Sequence, residues 1–144
     1  MSVSVDQNNL IFWGTNTGVS TYSIPNDNWS VISSSQPAGL PASAGKYSTG
    51  DPKTGEMYKL AVAQTGTPIF ISYNTITNTT KTLSLPSDLT TRELRYYSMV
   101  WSTQRNSVLL FGGYFNTTNV NNATGLVNPS FYEYNPTTDI WTDL

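Results

Sequence analysis

The chain has 144 residues, no histidine, no cysteine and a formal net charge of −2. Without cysteine it has neither a disulfide framework nor thiolate metal ligands, and without histidine it lacks the commonest general base and transition-metal ligand. Its seven Lys and Arg residues form no cluster, so the basic footprint of a nucleic-acid-binding protein is missing.

Charged residues make up 11% of the chain, against a globular norm of about 25%, while 12% is aromatic. Ser, Thr and Asn are abundant. That composition suits β-strands joined by polar turns and excludes a helical bundle, which draws on Ala, Leu, Glu and Lys. No run approaches the roughly 18 apolar residues of a membrane span. The opening MSVSVDQNNL has neither the basic start nor the apolar centre of a signal peptide.

Taken in chain order, the first predicted unit covers residues 2–32. VSVDQNNLIFWG (3–14) reads as a short strand, a polar turn and an apolar strand. YSIPNDNWSVI (22–32) reads as a strand ending in Tyr, a turn and a second strand. Pro37, Pro41 and the Ser/Gly/Ala-rich stretch 33–45 mark a boundary. The second unit, 45–85, repeats the plan with YSTGDPKTGEMYKLA (47–61) and YNTITNTTKTL (73–83), and Pro86 closes it. SDLTTREL (87–94) is the one place where a helical turn is predicted.

The third unit, 95–144, carries YSMVWSTQRNSVLLFGG (97–113) and YNPTTDIWTDL (134–144), separated by the insertion 114–130 between its second and third strands. The runs LIFW and VLLF are too short for a typical helix and predict strands buried on both faces. The three hairpins align without a gap, matching Tyr22, Tyr73 and Tyr134, then Trp29, Thr80 and Trp141, then Ile32, Leu83 and Leu144.

Four-stranded units recurring at about 50 residues are the mark of a β-propeller blade of the kelch length. The third unit carries the specific match: an apolar strand, the diglycine Gly112–Gly113, then Tyr134 and Trp141. The chain therefore resembles the kelch-repeat propellers. Its asparagine-rich turns are similar to those of kelch-repeat proteins from some fungi. The first unit keeps Tyr22 and Trp29 but has Trp13–Gly14 in place of the diglycine. The second keeps Tyr73 but has Thr80 in the Trp position and no glycine pair.

The resemblance implies an all-β fold of about three four-stranded antiparallel blades, an incomplete ring, since closure takes typically 4–8 blades. The remaining blades are expected from further sequence or from other chains. In this reading the glycines let the strand end bend where blades crowd, and the Tyr and Trp side chains fill the gaps between blades.

Kelch propellers bind protein partners through loops at one end of the ring. The implied function is a non-catalytic protein-interaction scaffold without cofactor or metal. One alternative is a piece of a propeller enzyme, a sugar oxidase or a glycoside hydrolase, with its catalytic residues elsewhere. The copper site of the galactose-oxidase relatives needs His and Cys, which this chain lacks. Another alternative is a carbohydrate-binding surface module.

The insertion is longer than structureless loops usually are. Its start, Tyr114, Phe115 and Asn116, pairs aromatics with an amide and is the candidate binding element. Glu133, between two tyrosines on a strand, is the carboxylate whose setting differs most from a simple turn. Sequons at Asn28, Asn78, Asn116 and Asn122 fit a secreted or surface protein, while Asn128 and Asn135 are disqualified by the following proline.

Overall fold

The computed structural model describes residues 2–5, 8–13, 18–33, 47–63, 65–116 and 126–144, with side chains described from residue 8 onward except at position 13. Strands β1 (Ser2–Val5), β2 (Asn9–Trp13), β3 (Val19–Ser23) and β4 (Asn28–Ser33) form one antiparallel sheet in chain order. Strands β5 (Ser48–Asp51), β6 (Glu56–Val62), β7 (Pro68–Asn74) and β8 (Thr79–Leu83) form a second in the same way.

After helix α1 (Ser87–Thr91) and β9 (Leu94–Arg95) come β10 (Ser98–Ser102) and β11 (Ser107–Phe111), then β12 (Tyr114–Phe115) and β13 (Leu126–Val127), then β14 (Phe131–Asn135) and β15 (Ile140–Asp143). The third four-stranded sheet runs β10-β11-β14-β15. The short strands make a separate sheet in the order β13-β12-β9. Among the described residues the fold is thus all-β apart from α1.

The outer hairpins repeat one local device. The hydroxyl of Tyr22 donates to Asp27 Oδ1 at 2.5 Å, that of Tyr73 to Asn78 Oδ1 at 2.9 Å, and that of Tyr134 to Asp139 Oδ1 at 2.9 Å. Each acceptor lies five residues after its tyrosine and has positive φ, 49°, 55° and 55° in turn. Asn and Asp are the non-glycine residues that enter this left-handed region most readily. The polar turns therefore reverse the chain and also fix the tyrosine ring.

Strand alternation sends side chains to opposite faces, and the middle sheet uses both. Met57, Ala61, Ile71 and Tyr73 pack with Ile11 and Val19 of the first sheet. Tyr58, Leu60 and Phe70 pack with Val108, Leu110, Tyr132 and Tyr134 of the third. Burial on both faces, predicted for LIFW and VLLF, belongs to β6 instead. In β11, Val108 and Leu110 are buried, but Leu109 is half-buried and Phe111 exposed. A sheet is covered twice only when it has a neighbour on each side, and among the described residues the outer two sheets have one each.

The first strands of the three sheets lie together, with β5 against both β1 and β10. Lys59, on the face of β6 with Met57 and Ala61, is fully buried, and burial lowers its ammonium pKa to about 8.

The expectation that the Tyr and Trp residues fill the gaps between sheets holds at Tyr73, Tyr134 and Trp141 but not at Trp29. Trp141 meets Phe70 of the second sheet at 5.0 Å between ring centroids, and its indole bonds to Ser84. Trp29 packs on Phe12 and Tyr22 of its own sheet and remains 59% exposed. The difference is positional: Trp141 has the second sheet beside it, and among the described residues no sheet lies over Trp29.

The helical turn expected within 87–94 is α1. It seats Leu89 in the core, and Asp88 accepts a hydrogen bond from the Tyr132 hydroxyl.

Candidate functional site

The diglycine starts the site. Gly112 and Gly113 have φ of 70° and 84°, and a Cβ on Gly113 would lie 2.5 Å from the Arg95 carbonyl oxygen and 2.9 Å from the Tyr97 nitrogen. Only glycine fits this approach. The crowding is with the linker 95–97, rather than between the large sheets. It lets the chain leave β11 and pair as β12, Tyr114 opposite Arg95 and Phe115 opposite Leu94.

The insertion 114–130 is therefore not loop throughout. Its far end returns as β13, with Val127 opposite Tyr114 and Leu126 opposite Phe115. Asn128 fastens this return. It is buried, its Nδ2 donates to the Gly112 carbonyl at 3.1 Å, and its main-chain N–H donates to the Gly113 carbonyl at 3.0 Å. Its Oδ1 accepts from the Ser130 N–H at 3.2 Å. Residues 117–125, including the Asn122 sequon, lie outside the described residues, as does Gly14.

Pleating divides the candidate binding residues. Tyr114 is half-buried at the surface, its ring stacked on Tyr96 at 5.3 Å with 24° between planes. Phe115 faces the other way and is 3% exposed in the main core, with the Arg92 guanidinium 4.3 Å above its ring. Phe115 is thus corrected from a binding residue to a core residue. The two-residue alternation that exposes Tyr114 forces Phe115 inward. Asn116 is half-buried: its main-chain N–H donates to the Glu93 carbonyl at 2.8 Å and its Nδ2 to Glu93 Oε2 at 3.1 Å.

Glu93 also accepts from Arg95 Nη2 at 2.8 Å. The Arg95 guanidinium holds the Glu93 carboxyl below its ordinary pKa, against the opposing effect of burial and with help from the Asn116 amide. The result is a surface with a clear division of labour. Glu93, Arg95, Asn116 and Asn128 hold the frame, while Tyr114, Tyr96 and Val127 face outward.

Tyr96 is 65% exposed and Val127 is 73% exposed. Tyr96 also sits at φ 55°. An aromatic residue in this region costs roughly 1–3 kcal/mol and persists only where its surroundings impose it. Here the pairing of Arg95 with Tyr114 and the burial of Tyr97 pin both sides. Tyr97 Oη donates to the Leu60 carbonyl at 2.9 Å.

Glu93, Arg95, Tyr96, Val127 and Asn128 were not picked out from the sequence. The adjacent pair Tyr96–Tyr97 was a usable signal, since strand-like alternation must turn one inward and one outward. Asn128–Pro129 was another, as a turn-initiating dipeptide.

The other candidates fall elsewhere. Glu133 holds Arg105 through two bonds, Nε at 2.7 Å and Nη2 at 2.6 Å, and accepts from Ser107 Oγ at 2.6 Å. Arg105 and then Ser107 lower its pKa to about 2. Asn28 begins β4 and Asn78 lies in the β7–β8 turn, both exposed. Among the described residues, no three His, Cys, Asp or Glu side chains gather as a metal site, and no helix is long and apolar enough to cross a membrane.

No family model matches the sequence, and no curated protein matches it. Among solved structures, the crystal structure of TolB from Acinetobacter baumannii is similar with a TM-score of 0.58 at 11% identity. The match covers 100% of this chain and 31% of that chain. TolB contains a β-propeller, and at this identity the likeness concerns the fold alone: this chain has a propeller-like, all-β fold.

Proposed function

We propose that the three four-stranded sheets are blades of a kelch-type propeller and that the protein is a non-catalytic binding scaffold. Its protein partner docks on the small sheet of β9, β12 and β13. The observation that carries this reading is the stack of exposed Tyr96 on half-buried Tyr114 beside Val127, held by a strained backbone and a polar frame. Rigid tyrosines present much contact area at little entropic cost, and aromatics dominate the energetics of protein interfaces. The kelch assignment draws its support from the diglycine, which opens the small sheet, and from Tyr134 and Trp141 at the joint between sheets.

Catalysis has weaker support. The best-placed strand carboxylate, Glu133, is committed to Arg105 and Ser107. A carbohydrate ligand is the second reading, because a tyrosine platform also stacks on sugar rings.

The test is site-specific photo-crosslinking in the intact protein, in the cells that make it. A benzophenone amino acid at position 114 is compared with one at Thr77, an exposed turn residue at the opposite end of the strands. A protein captured at 114 and absent at 77 supports the scaffold. Glycans bound on an array, with no protein captured at 114, would favour the second reading. Equal capture at both positions would remove the site.

A further inference from the structure

The three sheets are equivalent, so the joints inside the chain show what covers each kind of face. The face bearing the hairpin tyrosine turns toward the preceding sheet. Tyr73 packs with Ile11 and Val19 of the first sheet, and Tyr134 and Trp141 pack with Phe70 of the second. In the first sheet the same face bears Tyr22, Trp29 and Val31, the last two exposed.

The complementary face of the second sheet is built on the cross-strand pair Leu60–Phe70. Its counterpart in the third sheet is Phe111–Phe131, paired in the same register with rings 5.6 Å apart and both exposed. The chain thus carries both halves of a joint it makes internally, one at each end of the array.

We propose that these two faces dock on each other between two copies of the chain, head to tail. Trp29 of one copy lies on Phe131 of the other, as Trp141 lies on Phe70. The joint continues an interface already present inside the chain, with the same strand register and the same aromatic pairing. Two different faces make the contact heterologous, and such contacts close into a ring when the rotation allows. Propeller rings take typically 4–8 four-stranded sheets, and two copies of these three sheets supply six. This inference rests on the equivalence of the sheets and not on the small-sheet surface.

Sedimentation of the 144-residue chain tests it, with near-UV circular dichroism and a cooperative melt as proof of folding. The expected species has twice the 15.8 kDa chain mass. Trp29→Arg and Phe131→Arg each give monomers, and mixing the two variants restores a dimer through the one joint left intact. If Phe131→Arg fails to fold, Phe131→Ser replaces it.

A folded wild-type monomer at every concentration overturns the proposal. A dimer indifferent to both substitutions overturns it too, as does a mixture that stays monomeric.

Discussion

The indole Nε1 of Trp141 donates to the main-chain carbonyl of Ser84 at 2.8 Å. Ser84 follows β8, so this bond fastens the last strand of the third sheet to the exit of the second. Ser84 replies through its own N–H and hydroxyl, which donate to Asp139 Oδ1 and to the Asp139 carbonyl. The seam between two sheets is thus packed by a ring and registered by polar bonds at its rim. Trp141→Ala is expected to lower stability by about 3–5 kcal/mol through the lost packing. Trp141→Phe keeps a ring but strands the Ser84 acceptor, an expected loss of about 1–3 kcal/mol. Urea denaturation of the three proteins checks the order.

The two glycines of the pair separate conformation from contact. Alanine at position 112 meets nothing within 4 Å and carries only the cost of positive φ, about 1–2 kcal/mol. Alanine at 113 adds a collision with the Arg95–Tyr97 backbone, so Gly113→Ala is expected to lose more than Gly112→Ala. The excess should come with faster hydrogen exchange of the Asn116 amide, which is bonded to Glu93 across the same small sheet. Equal losses would place the crowding elsewhere.

Lys59 gives the protein a stability that rises with alkaline pH. Its pKa is lowered by burial from 10.5 to about 8. Below pH about 8 the ammonium is charged in both folded and unfolded chains, and its burial cost is fully present. Between about 8 and 10.5 the unfolded chain binds the extra proton, so stability increases with pH. Burial raises the pKa of Tyr58, Tyr97 and Tyr134, which reverses the trend above their unfolded value of 10.0. Melting temperatures are therefore expected to climb from pH 8 to 10 and then fall. Lys59→Met should flatten the climb.

At the acid end the sign is opposite. The Glu133 pKa is lowered from 4.5 to about 2 by Arg105 and Ser107. Its contribution is present above the unfolded value and is lost as pH falls through the folded one. Glu133→Gln should flatten the acid limb of the stability curve between those two values, and acid titration followed by tryptophan fluorescence reads it out.

These cases show which features were legible in the chain. The hairpins were, because a Tyr, an Asx turn and a following strand are local, and Tyr22, Tyr73 and Tyr134 repeat them without a gap. The helical turn at 87–94 was, through its position after Pro86. The fate of Trp29 was not: its hairpin resembles that of Trp141, and the two differ only in whether a sheet lies alongside. Nor was the division between Tyr114 and Phe115. That is set by pairing with Leu94–Arg95, some 20 residues earlier, and no short window contains both partners. The pair Tyr96–Tyr97 signalled one inward and one outward ring, but which of them turns outward was hidden for the same reason, since it depends on Arg95 being held by β12.

The most direct measurement is the affinity of the partner captured at position 114, taken for the wild type and for Tyr114→Ala. The proposed scaffold loses about tenfold or more in Kd on removal of the ring, as expected of an aromatic anchor. Because Tyr114 packs at the surface, the melting temperature should stay within about 2 °C. An unchanged Kd in a folded Tyr114→Ala protein would contradict the assignment of the small sheet as the binding surface.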